Sequence, residues 1–462
     1  MKINGPDLAE WTKGHWVNGI PKCVENITFD SRLVSEASIF IAMTHGQGDG
    51  HEFIGQARDL GALGCIVERA SDIKIPQLVV PDTLEALVDI GRALRELFEG
   101  CVIGLSGSCG KTSTKSLIEK AIGERRAYAR KGNWNNKMGV PLTFVELHGK
   151  RYDFAMIEAG ISEPGEMSVL SSVIKPDLCV ITNIGQAHLD GLGSLESVAD
   201  EKAKLLEYAT DQCRLIAPKS VFSFEAFKPY EATAISVEMI SAMPSAIMPL
   251  EILPNSYYYH SKLLAEGRSE VTVLFDHKET TFSIATTSPG MVENSILAFA
   301  TAVESGIEPS AAASGIADWM PDNGRGSIEH IKDALFYNDT YNANPTSMRD
   351  SLKAFTSVSR SYSKKMYILG VMGELGATAA KLHFALGSSL KYNEGDRLIL
   401  IGETKLVGAY QEGALSANWP TSAIEIHDTV DSFKSNLANF SGAVFVKGSR
   451  TTKLESLIPS SS

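Results

Sequence analysis

One segment constrains this chain more than any other: the apolar run CVIGLS (Cys101–Ser106) leads directly into Gly107-Ser108-Cys109-Gly110-Lys111-Thr112-Ser113. The run reads as a buried parallel strand, the glycines as a turn, and the stretch from about Thr112 as a helix. In that setting glycines let backbone N–H groups face phosphate oxygens, and the helix N-terminus adds partial positive charge. Lys111 would reach the outer phosphates of a nucleotide, and the Thr112 hydroxyl would hold Mg²⁺. A plain Gly-rich connection is the bland alternative. The usual pattern carries Gly six positions before the Lys, and Leu105 stands there instead. Cys109 inside the loop predicts a nucleotide site that thiol alkylation would block.

The same theme recurs along the chain. DFAMIEA and DLCVITN are further short apolar strands, and open α/β sheets bind ligands at the carboxyl ends of their strands. Chemistry is therefore expected just after Ser106, Glu158 and Asn183. Earlier, Phe53 to Leu63 predicts a helix before the strand GCIVER, and Thr83 to Phe98 has helical spacing that Gly100 interrupts. Later, VTVLF and TTFSIAT predict strands within an irregular stretch, and a helix is expected from about Asn294 to Ser305, capped by Gly306. ALFYNDT, KKMYILG, RLILIG and AVFVKG then form a second strand–helix series. No internal repeat and no low-complexity tract beyond the Ser-rich tail is present.

With 462 residues and about 100 to 200 residues per domain, three domains are expected: 1–99, 100–315 and 316–462. The fold class is α/β, with a central P-loop-type, mostly parallel sheet, an N-terminal α/β domain and a C-terminal Rossmann-like domain. A net charge of -12 without any Lys/Arg-rich block argues against nucleic acid or an anionic membrane as partner. The start, MKINGPDLAEWTKGHW, lacks an apolar leader segment, and no stretch reaches the roughly 18 apolar residues of a membrane span. A cytoplasmic monomer is expected. The six cysteines, all within the first half, lack CxxC spacing and read as reduced thiols.

What accompanies the loop is more specific. The segments GNWNNKMGVPLT (Gly132–Thr143), IEAGISEPGEM (Ile157–Met167), TNIGQAHLDGLGS (Thr182–Ser194), YNDTYNANPTSM (Tyr337–Met348) and KGSR (Lys447–Arg450) together resemble the Mur ligases, in family order over nearly the whole chain. FDSR and DGHEFI, at Phe29–Arg32 and Asp49–Ile54, resemble that family's N-terminal domain, which holds a uridine nucleotide.

The resemblance implies an ATP-dependent amide ligase and, within the family, the branch that adds D-Ala-D-Ala to UDP-MurNAc-tripeptide through an acyl phosphate. It implies nucleotide contacts from Gly107 to Ser113, from Asn294 to adenine, from Asp339 to ribose and from Arg325 to the γ-phosphate. Thr112, Glu158, His188 and Lys202 would surround two Mg²⁺ ions, Lys202 as a carbamate, and Lys111, Glu158, His188 and Lys202 would be the catalytic set. Lys204 competes for the carbamate role by its position alone. Ser31, Arg32, Asn133, Asn135, Asn136, Lys447 and Arg450 would bind substrates, and Pro345 would open a helix after a structural NANP loop. Taken singly, Glu158 reads as a surface carboxylate, His188 as a core histidine and Lys202 as a solvated lysine.

Three positions depart from the family pattern: Ala159 replaces Met, Gly290 stands where His often precedes the adenine Asn, and Val371 replaces an Asp. A ligase of another amino acid or peptide, or a non-catalytic nucleotide switch, are the alternatives. The switch would have no need of Glu158, His188 and Lys202 together.

Overall fold

Apolar strands too short to be stable alone are gathered into three large sheets among the described residues, which are 3–45, 48–241, 253–265, 267–433 and 437–459 of a computed structural model. The first sheet has the order His15–Val17, Gln77–Val79, Gly64–Val67, Ser38–Ile41 and Asn26–Thr28, parallel except for its first pair. The second places seven parallel strands side by side, from Ala127–Ala129 to Ser256–Leu263, and ends in the antiparallel strands Ser269–Phe275 and Lys278–Ile284. The third runs Ser327–Ile331, Ala334–Asn338, Gly442–Lys447, Lys365–Gly370, Arg397–Ile401 and Ile424–His427, again parallel after its first pair. This is the expected α/β class with a mostly parallel central sheet.

Cys101–Ser106 lies between Phe154–Glu158 on one side and Leu178–Ile181 on the other. The chain departs from this strand in both directions, so a crevice opens at its carboxyl end. The loop after Ser106, Glu158 and the segment after Ile181 consequently share one edge.

The first two sheets share a core. Helix Thr83–Glu96 buries Leu87, Ile90 and Leu94 beside Val140, Phe144 and Val173 of the central sheet's helices. Arg95 fastens this junction, donating to the carbonyls of Ile174 and Lys175 and to Asp177. On the far side, helix Pro309–Ala317 lies on helix Lys111–Ile122, and buried Trp319 donates to Ser116. The expected division at 315/316 cuts this helix, and we place the join between Trp319 and Ser327.

Several elements differ from expectation. The helix expected from Asn294 begins at Pro289, because Ser288 caps it and proline suits a first-turn position. Phe53–Leu63 is a 3₁₀ turn, Gly50–Phe53, followed by the short helix Ile54–Asp59; Gly61 takes φ +91° just beyond it. Helix Gly5–Thr12 and the three-residue strands gave no periodic signal. Part of the irregular stretch, 242–252, and the Ser-rich tail lie outside the described residues.

Candidate active site

The loop after Ser106 turns only because glycine permits it. Gly107 has φ +150°, and a Cβ there would sit 1.9 Å from the Thr182 hydroxyl. Gly110, at φ +79°, precedes helix Lys111–Ile122, and a Cβ there would strike the amide of Asn294 at 2.4 Å. The loop is pinned from the neighbouring strand end. Thr182 donates to the Cys109 carbonyl at 2.6 Å, Asn183 accepts from the Cys109 N–H at 3.1 Å, and Ser108 exchanges hydrogen bonds with Gly185. Lys111 curls back to the Gly107 carbonyl at 2.8 Å. Burial pushes its ammonium below the ordinary lysine range, and the Arg325 charge adds to this against the pull of Glu158. Ser113 is buried one residue past Thr112.

Glu158 ends its strand buried and fully engaged. It accepts from the Thr112 hydroxyl at 3.1 Å and from the Asn135 amide at 2.9 Å, and lies 3.4 Å from the Lys115 ammonium. Burial works to raise this carboxyl. The ammonium groups of Lys115 and Lys111, with the two hydrogen bonds, outweigh it and hold Glu158 below the usual range. Glu158 is therefore a buried anion at neutral pH. Lys115 was not foreseen, although it lies four residues after Lys111 and so on the same helix face.

Lys202 and Lys204 lie close in sequence but in opposite environments. Lys204 is half-buried and paired with Glu201 at 2.6 Å. Lys202 is completely buried, and its Nζ has no partner. Burial, then the nearby charge of Lys111, drives its ammonium well below the ordinary lysine range. A buried unpartnered donor is rare enough to need an explanation.

His188 stands at φ +55° before the short helix Leu189–Leu192, with Nδ1 2.5 Å from Glu374 Oε2 of the third domain. Also in the third domain, Arg325 stacks on Tyr341 at 3.7 Å, and Asp339 receives Lys447 at 2.6 Å and Ser351 at 2.5 Å. Lys447 is thus buried and spent on Asp339 and the Asn342 carbonyl, which leaves Arg450, exposed and 3.2 Å from Glu455, as the freer cation of KGSR. Asn344 caps helix Pro345–Val358, as Pro345 suggested, and donates to the Ser108 carbonyl at 3.3 Å.

The remaining sequence-predicted residues are placed around this centre. Asn133 accepts from Asn135, whereas the Asn136 side-chain oxygen is committed to the N–H groups of Met138 and Gly139. Trp134 packs between Arg130 and Phe29, which brings this loop to the N-terminal sheet. Ser31 donates to Gln56, and Arg32 is exposed and paired with Asp30 at 2.7 Å. Cys109 is half-buried, and burial, with the Asp350 charge, raises its thiol above the ordinary range, which lowers the share of reactive thiolate.

Among the described residues no three His, Cys, Asp or Glu side chains form a metal cage. The hard oxygens that do converge, Thr112 Oγ1 and Glu158 Oε2, suit an ion that completes its shell with water and phosphate oxygens.

The sequence pattern of the Mur ligase middle domain matches residues 105–302, and that of the Mur ligase glutamate ligase domain matches residues 324–450. The chain belongs to the Mur ligase family. This Mur ligase is 29% identical to the UDP-N-acetylmuramoyl-tripeptide–D-alanyl-D-alanine ligase of Bacillus subtilis (strain 168), over 99% of this chain and 98% of that one. It is 28% identical to the enzyme of that name from Haemophilus influenzae, over 99% and 98%. Its fold resembles a crystal structure of MurF from Acinetobacter baumannii, with a TM-score of 0.85 and 27% identity over 99% of this chain and 98% of that one. No helix among the described residues is long and apolar enough to cross a membrane.

Proposed function

We propose that this Mur ligase joins D-Ala-D-Ala to UDP-MurNAc-tripeptide at the expense of ATP, giving UDP-MurNAc-pentapeptide, ADP and phosphate. The observation that carries the reading is the hydrogen bond from Thr112 to the buried anion Glu158, beside the charges of Lys115 and Lys111, with, near Lys111, a fully buried and unpartnered Lys202. A switch that only binds nucleotide would have no use for that last group.

A carboxylate is a poor electrophile. Transfer of the γ-phosphoryl group makes it an acyl phosphate, which the dipeptide amine attacks to give a tetrahedral intermediate that expels phosphate. Positioning and charge neutralisation are the protein's share of the work. The loop N–H groups and Lys111 cradle the phosphates, Arg325 meets the γ-phosphate, Asp339 the ribose and Asn294 the adenine. The first domain, through Ser31 and Arg32, takes the uridine nucleotide, and Arg450 faces the dipeptide carboxylate. Thr112, Glu158 and His188 would hold Mg²⁺, which supplies charge neutralisation at the transferring phosphoryl group. Lys202 would complete that set as a carbamate: its amine, once deprotonated, would add CO₂ and lose a proton, converting the buried group to an anionic oxygen ligand.

Val371 favours one variant of this reading. It stands where the family carries an Asp and packs against Gly402, so a ligase with a less polar incoming amine is the second possibility. The deciding experiment measures phosphate release from ATP and Mg²⁺ with UDP-MurNAc-tripeptide, with and without D-Ala-D-Ala, and weighs the product. Release requiring both substrates and a pentapeptide mass establishes the reaction. No release with either diamino-acid form of the tripeptide, from protein that binds ATP, moves the assignment to another incoming amine.

A further inference from the structure

Arg325 stands on a loop that is fixed on both sides of it. Gly324 and Gly326 have φ +77° and +81°; a Cβ would lie 3.1 Å from the Thr340 hydroxyl at the first and 3.0 Å from the Tyr337 hydroxyl at the second. The Gly326 N–H donates to the Asn338 carbonyl at 2.9 Å, and the Tyr341 N–H donates to the Gly324 carbonyl at 3.0 Å. That second bond brings Tyr341 against the arginine, whose guanidinium carbon lies 3.7 Å from the ring centroid. Among the described residues the Arg325 side chain makes no hydrogen bond and no ion pair, so its N–H donors are unspent. Arg450 also faces this ring, but at 5.8 Å and with Glu455 as its partner at 3.2 Å. The Arg325 charge is felt at the buried Lys111 ammonium, which puts the guanidinium near the nucleotide loop.

We propose that Tyr341 is a positioning residue for the transferring phosphoryl group: its ring face fixes the plane of the Arg325 guanidinium and leaves the N–H edge free for the γ-phosphate oxygens. An arginine held by hydrogen bonds to the protein would spend donors that the anion needs. An aromatic face holds the cation through the ring quadrupole and takes no donor. The planar fork therefore keeps its match to phosphate oxygens. A long side chain fixed in this way has already lost rotamer freedom, so less is lost when the nucleotide arrives. This rests on the ligase reading for the role of Arg325, though the stacking itself does not.

The test measures binding of ADP and of β,γ-imido-ATP, each with Mg²⁺, by calorimetry in the native protein, Tyr341→Leu, Tyr341→Phe, Arg325→Ala and the Arg325→Ala/Tyr341→Leu double variant. Tyr341→Leu is expected to weaken imido-ATP binding by about 5- to 30-fold, the range a cation–π contact supports, and to leave ADP binding unchanged, which also shows that the site is folded. Tyr341→Phe keeps the ring and should bind both nucleotides as the native protein does. In the Arg325→Ala background Tyr341→Leu should cost nothing further, because the ring then has no cation to hold. Equal weakening of ADP and imido-ATP in Tyr341→Leu would overturn the proposal and make the ring a support of the loop alone. An undiminished effect of Tyr341→Leu without Arg325 would overturn it too, as would native imido-ATP binding by Arg325→Ala, whatever the ligase turnover of the native protein. If the native protein shows no ligase turnover, that reading fails alone, since the comparison of the two nucleotides needs none.

Discussion

Glu158 and Lys111 illustrate how one residue's environment decides its chemistry. Lys111→Ala and Glu158→Gln should each lower kcat by at least about 100-fold, as expected when a group facing developing charge is removed. Melting temperatures should stay within a few degrees of the native value, and near-native turnover in either folded variant would remove that residue from the catalytic set. Glu293 offers a sharper test of burial. Desolvation lifts its carboxyl to about 7, against the hydrogen bond from Tyr259. Between the ordinary value near 4.5 and about 7, the unfolded chain has lost a proton that the folded chain keeps. Stability should therefore fall as pH rises through that window and level off above it. Glu293→Gln abolishes the slope: at pH 8 it should be more stable than the native protein by about 2–3 kcal/mol, with near equality at pH 4, as thermal unfolding at the two pH values would read.

Helix Pro289–Glu304 carries Asn294 to the nucleotide loop, so its first turn sets where that amide lies. Ser288 accepts from the Met291 N–H at 2.9 Å and donates to Asp350, which also accepts from the Gly290 N–H at 2.8 Å. The missing side chain at Gly290 makes this approach possible, since a Cβ would lie 3.2 Å from the Asp350 carboxylate. The family's frequent His at that position is thus replaced here by a carboxylate from the third domain. Ser288→Ala should cost about 1 kcal/mol through the lost cap and raise the KM for ATP more than that for the dipeptide. Equal changes in both constants would count against a role specific to the nucleotide.

At the scale of the whole molecule, several contacts draw the third domain onto the second, among them Asn344 to Ser108, Glu374 to His188, Thr287 to the Ala354 carbonyl, and Asp350 to Ser288 and Gly290. Asp350→Ala should loosen closure while leaving the loop intact, seen as a larger radius of gyration with nucleotide bound and a several-fold loss of kcat. An unchanged radius would mean that the remaining contacts hold the domain without Asp350. The first domain differs, because its helix Thr83–Glu96 shares a continuous apolar core with the central sheet and leaves little freedom between them.

The sequence by itself determined whatever rests on local chemistry. Gly107 and Gly110 set the turn, the apolar runs to Ser106, Glu158 and Ile181 set the strands, and the order of motifs set the family. Short segments such as Asn26–Thr28 and Ala127–Ala129 escaped, since three residues carry no period and pair only when neighbours arrive. Tertiary structure alone showed how differently Lys202 and Lys204 are placed, one fully buried without a partner and the other half-buried and paired with Glu201. It likewise spent Lys447 on Asp339, placed Lys115 beside Glu158 and brought Glu374 to His188. Charges and hydrogen bonds act through space, and residues 186 positions apart in a chain become partners only when two domains close on the same crevice.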